Sequence, residues 1–216
     1  MSTRNTVIVS IILIVIGVVA SALAYNQLPA QVASHWNESN QVNGYMSRFW
    51  GAFLLPVVMI GILALFLIIP SIDPLRANIA EFRGAFNIFI VLMIAFMLYT
   101  HGLTLVWNLG YDQFNMGSAM LPGLGLIFIF AGVMMRKAKR NFFIGIRTPW
   151  TLSSDSVWDK THQLGSILFI FSGVLSMLGA FFEDYLFWFI LVPILGSTAF
   201  LVVYSYILYQ RETKAK

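Results

Sequence analysis

Three histidines in 216 residues carry most of the proton and metal chemistry open to this chain. His35 and Glu38 stand three apart in His35-Trp36-Asn37-Glu38. On one helical turn they would share a face, as two metal ligands or as a base and its orienting acid. Two ligands fall short of the three or four that zinc takes, and the nearest further donors are Asp112, Glu183, Asp184 and His101. An interfacial loop with Trp36 and Tyr45 at headgroup depth is the stronger default. Asp155, Asp159 and His162 form a second group able to hold a cation, but capping and solvation account for the two acids. His101 shares a predicted helix with Asn87 and Asn108, where hydrogen-bonded packing outweighs proton relay. No nucleophile with its base and no metal pair falls at membrane depth. We therefore expect a non-enzyme with no catalytic residues, no metal site and no cofactor. The chain has no cysteine, which removes disulfides, thiol chemistry and Cys-ligated zinc or iron–sulfur centres.

The elements that must position these groups are apolar. Hydrophobic residues make up 59% of the chain and charged residues 10%, too few to clothe a water-soluble globule. Six runs, at about 7–25, 49–69, 86–109, 116–135, 165–182 and 186–209, contain no Asp, Glu, Lys or Arg and are long enough to cross hydrocarbon. They are continuously apolar rather than alternating, so the expected fold class is all-α, a polytopic bundle of six transmembrane helices. Pro56, Pro122 and Pro193 fall inside spans and predict kinks. The first run follows Arg4 and contains Ala22-Leu23-Ala24, a signal-peptidase-like sequence. Its length exceeds a signal core and favours an uncleaved helix.

Orientation follows from the bases. Of 13 Lys and Arg, 12 lie in the N-terminus, residues 70–85, residues 136–164 and the tail. Only Arg48 lies in the alternate loops. The positive-inside rule then predicts an N-in/C-in protein. Arg136, Lys137, Lys139 and Arg140 read as a topological anchor near anionic headgroups rather than a nucleic-acid site.

Packing inside lipid depends on small residues that let backbones approach. Gly165, Ser172, Ser176 and Gly179 make one helical stripe. Gly123, Gly125 and Gly132 beside Pro122 indicate close packing, with a broken helix lining a substrate path as the alternative. In the cytoplasmic connector, Asp73-Pro74 reads as a helix start, with Leu75, Ile79 and Phe82 on one face of a surface helix. In the next cytoplasmic segment Pro149 disfavours helix at Thr148. Ser153 or Ser154 before Asp155 caps a helix leading into the fifth span, on which Trp158 and His162 share a face.

The run Gly145-Ile146-Arg147-Thr148-Pro149-Trp150-Thr151-Leu152, with Asn141 before it and Trp158 and His162 after it, resembles the signature of the SdpI-type immunity proteins. Leu28-Pro29, His35-Trp36 and Gly44 are similar to the uncharacterised N-terminal membrane module (DUF1648-like) that often accompanies that family, and Asp73-Pro74, Asn78 and Phe82 to its connector. The resemblance implies two modules, 1–115 and 116–216, each with three spans. It also implies protection against a secreted, membrane-active toxin peptide outside and signalling to a cytoplasmic repressor or other protein, without direct contact to nucleic acid. The candidate binding residues are then Asn141, Gly145, Arg147, Thr148, Pro149, Trp150, Trp158 and His162 inside, and His35, Trp36 and Glu38 outside. On physical grounds Arg147 and Trp150 are either interfacial anchors or, with Pro149, part of a rigid turn whose Arg reaches a helix C-terminus, a carboxylate or a lipid phosphate. A small-solute or ion transporter and an intramembrane or metal-dependent enzyme are the rival readings.

Overall fold

The computed structural model describes residues 1–214, so Lys216, counted among the bases above, lies outside the described residues. Six helices are long and apolar enough to cross a membrane. They are α1 Thr3–Ala24, α2 Arg48–Ile72, α4 Arg83–Asn108, α5 Met116–Met135, α7 Asp155–Gly179 and α8 Leu186–Lys214. Two short helices, α3 Arg76–Glu81 and α6 Pro149–Ser153, lie between them. Several helix starts are set by capping side chains. Ser2 accepts the Asn5 N–H, Asn115 the Ser118 N–H and Ser154 the Val157 N–H. Pro56, Pro122 and Pro193 sit within continuous helices.

The loop before α2 departs from an all-α chain. Strands β1 Gln31–Trp36 and β2 Val42–Ser47 pair antiparallel, with His35 opposite Gly44. Asn37 closes the turn by accepting the N–H groups of Ser39 and Gln41, and Asn40 adopts φ 58°, a left-handed value that Asn tolerates. Side chains of β2 alternate in burial with period two. His35 is therefore extended and Glu38 lies in the turn, so the helical pairing expected of these two does not form. A Cβ on Gly44 would lie 2.8 Å from His35 Cβ, which is why the facing position is glycine.

Asp73 also differs from expectation. Helix α2 continues through Ile72, the Asp73 N–H closes on Ile69 O, and α3 begins at Arg76 rather than at the proline. The apolar face is as expected, with Ile79 and Phe82 buried against Phe86, Ile144 and Trp158 in one cluster.

Helices α1, α2 and α4 pack through Ile14, Met59, Leu63, Ile90 and Ile94. Helices α5, α7 and α8 pack through small residues. A Cβ on Gly125 would come within 2.6 Å of Gly173 O, one on Gly132 within 2.7 Å of Ser166 O, and one on Gly179 within 2.6 Å of Phe189 Cβ. The stripe on α7 faces both neighbours, since Ser176 bonds Leu121 O on α5 and Ser172 Oγ lies 3.3 Å from Ser197 Oγ on α8. The two sets of helices meet along α4 and α5, where Gly123 sits under Phe96.

Tertiary hydrogen bonds define the two ends of the bundle. At one, Asn108 bonds both backbone groups of Ala33 at 2.8 and 3.0 Å, and Asn40 bonds Met116 N–H and Phe114 O, fastening the hairpin to α4 and α5. At the other, Asn87 bonds Met1 O, Asn78 bonds Arg140 O and Ser154 bonds Glu212. The hairpin end carries four acids, Glu38, Asp112, Glu183 and Asp184, and one base, Arg48. Every other described base lies toward the opposite end.

Candidate functional site

At the basic end, the loop between α5 and α6 is built around Asn141. Its amide donates to Lys139 O and Ile144 O, while its oxygen accepts from Phe143 N–H and Ile144 N–H, and the side chain is wholly buried. This satisfies all four of its bonding positions and fixes a tight loop. The loop then reaches Gly145 at φ +108°, a conformation that L side chains rarely adopt. A Cβ there would also collide with His162 Nε2.

His162 makes two bonds on opposite sides of its ring. Its Nδ1 lies 2.9 Å from Trp158 O, and its Nε2 accepts the Ile146 N–H at 3.0 Å. A carbonyl can only accept and an amide N–H only donate, so the ring is the neutral Nδ1–H tautomer. It stacks on Trp158 with centroids 3.9 Å apart, and Trp158 Nε1 donates to Ala138 O. Trp158 and His162 thus share a face as expected. With both nitrogens engaged, His162 has no lone pair for a cation shared with Asp155 and Asp159.

Thr148 is extended and caps α6. It forms a reciprocal capping box with Thr151, and Thr148 Oγ1 lies 3.0 Å from Ser205 Oγ on α8. Pro149 occupies the first turn of α6. Trp150 packs edge-on against Tyr206 at 5.1 Å. Among the described residues Arg147 meets no helix C-terminus and no carboxylate. Its Nη1 donates to Phe142 O at 2.7 Å, within its own loop, because the turn at Gly145 folds the chain back on itself.

Asp73, read from sequence only as a cap, holds the connector to this loop. One carboxylate oxygen accepts Leu75 N–H at 2.6 Å and the other accepts Phe142 N–H at 2.9 Å. Arg140 completes the joint, with Nε 2.7 Å from Asp155 Oδ1 and Nη1 donating to Leu152 O. Four signature side chains, Asn141, Thr148, Trp158 and His162, are therefore interior fasteners. Gly145, Arg147 and Pro149 stay exposed, beside the exposed rings of Phe142 and Phe143.

At the hairpin end His35, Trp36 and Glu38 line one groove of about 1460 Å³ between the hairpin, the 112–117 turn, α5 and the start of α8. His35 Nδ1 meets Asn43 Oδ1. Trp36 packs edge-on against Trp107 at 5.4 Å, which packs the same way against Phe114. A narrower cavity of about 390 Å³ continues inward, sharing His35, Trp36 and Met120 with the groove. His101 lies in neither. It is buried, and its Nε2 lies 2.8 Å from Ser21 Oγ on α1, the packing role expected of it.

Comparison with known proteins fits this architecture. Residues 137–206 match the model of the SdpI/YfhL protein family, and residues 12–60 match that of a domain of unknown function, DUF1648. With six apolar helices the chain is a multi-pass membrane protein, and its likeness to the SdpI family, first visible at Gly145–Leu152, extends over these matches. Over 205 residues it is 28% identical to the immunity protein SdpI of Bacillus subtilis (strain 168), an alignment covering 94% of this chain and 96% of that protein. No solved structure matches.

Proposed function

We propose that this chain is a membrane immunity protein that receives a membrane-active toxin peptide at its hairpin end and passes the event to a cytoplasmic protein at its basic end. The observation that carries this reading is the 28% identity to an immunity protein across nearly the whole length of both chains. In it, residues 1–115 are the receiving module and residues 116–216 the relay, with the basic end in the cytoplasm as the distribution of Lys and Arg favours. The role is non-catalytic. Asp73 supports the division, because its bond to Phe142 N–H ties the connector of the first module to the signature loop of the second. A change in the packing of α2 against α4 would pull on that loop, whose exposed Arg147, Phe142 and Phe143 offer a surface to a partner.

The test uses bacteria without an immunity gene, challenged with a secreted membrane-active toxin peptide while a potential-sensitive dye is followed. Cells making this protein are expected to keep their potential. Arg147→Ala and Asp73→Asn are expected to weaken protection or downstream signalling at unchanged membrane abundance. Wild-type protein that gives no protection, or an Arg147→Ala variant that loses neither output, overturns the reading.

A further inference from the structure

We infer that the groove at the hairpin end is a docking site for a cationic amphipathic peptide, which sets an apolar side chain into the inner cavity and its positive charges against the rim. The inference rests on the proposed function and deepens it by naming the chemistry of the incoming partner. Glu38, Asp112, Glu183 and Asp184 line the groove, all exposed, and no Lys or Arg lines it. The one base at this end is turned elsewhere, with Arg48 donating to Pro29 O and standing 6.0 Å over the Tyr25 ring. Four carboxylates around a low-dielectric recess focus a negative potential outward and draw in positive charge. They are not arranged as a cation site, because no three His, Asp or Glu side chains among the described residues are grouped to share an ion.

Below the acids the walls become apolar, with Leu121, Leu124, Phe187 and Ile190 in the groove and Leu54, Leu55 and Met116 in the cavity. At about 390 Å³ the cavity lies within the roughly 300–1,000 Å³ of ligand pockets. Acid rim and apolar walls together fit a peptide with basic groups on one side and bulky apolar groups on the other. An anionic headgroup would meet repulsion at the rim.

The test uses full-length protein in phosphatidylcholine nanodiscs, with empty nanodiscs as the baseline. The probe is a fluorescent synthetic peptide of Lys, Leu and one Trp, compared with its counterpart bearing Glu for every Lys. We expect the Lys peptide to bind above baseline and the Glu peptide not to. Combining Glu38→Gln, Asp112→Asn, Glu183→Gln and Asp184→Asn should weaken the Lys peptide about ten-fold. Thr100→Phe, which fills the cavity without breaking a hydrogen bond from its hydroxyl, should weaken binding while leaving its salt dependence. Equal binding of both peptides overturns the proposal without recourse to any variant. It is overturned too if the four-fold variant keeps wild-type affinity, or if a co-purified lipid holds the cavity against the peptide. Protection by a four-fold variant that binds like wild type sinks the groove and leaves immunity standing. Groove-dependent binding by a wild type that protects nothing does the reverse.

Discussion

Gly145 shows how much of the basic end depends on single atoms. Its positive φ turns the chain so that Ile146 N–H meets His162, and its missing Cβ leaves room for the ring. Gly145→Ala is therefore expected to destabilise the protein by about 2–4 kcal/mol, combining backbone strain with a displaced buried ring. Reversible unfolding in mixed micelles measures the loss. A substitution within about 0.5 kcal/mol of wild type would show that the turn is not fixed by this contact. Much at this scale was readable from sequence because it is local: the cap at Ser154, the extended Thr148 before Pro149, and the Trp158–His162 pair one helical turn apart. Asp73 was not, because its partner Phe142 lies 69 residues away and no local spacing announces it. The bond of Arg147 to Phe142 O was not legible for the related reason that this acceptor becomes available only once Gly145 has turned the chain.

Among the elements, α7 is held on two sides, by α5 at backbone contact and by α8 through side chains. The Cβ absent from Gly132 would meet Ser166 O and Ile170 N, and a helix backbone cannot move aside as a side-chain tip can. Gly132→Ala is expected to cost about 1–3 kcal/mol in the same unfolding experiment. Gly196→Ala on α8, where a Cβ would meet nothing within 4 Å, is expected to leave stability level or slightly raised. Equal effects would mean that close α5–α7 packing does not hold the bundle. The six spans were readable because twenty apolar residues in a row have few other uses. The hairpin was hidden because its short strands mix polar and apolar residues, its alternation is interrupted between Ala33 and Trp36, and its turn depends on Asn37 and Asn40.

For the molecule as a whole, the bases are sorted by end: all the described Lys and Arg but Arg48 lie away from the hairpin, whereas acids occur at both ends, four of them around the hairpin. The absence of native cysteine makes the orientation directly measurable. Ser39→Cys in the hairpin turn is expected to react with an impermeant maleimide on intact cells, and Ser156→Cys at the start of α7 only after the cells are opened. The opposite pattern would invert the proposed sidedness and move the toxin-receiving end into the cytoplasm. The Lys and Arg distribution predicts a sidedness that this labelling tests, whereas the acidic groove was not legible, because its carboxylates come from three separate stretches of chain.

The make-up of α7 also bears on how the chain is built. It is the least apolar of the six long helices and the one most enclosed by protein, carrying buried Ser166, Ser172 and Ser176 among its glycines. A segment so poorly suited to oil gains little by leaving the translocon alone. Flanked by α5 and α8, it is expected to keep its place in the bilayer less well alone than in their company.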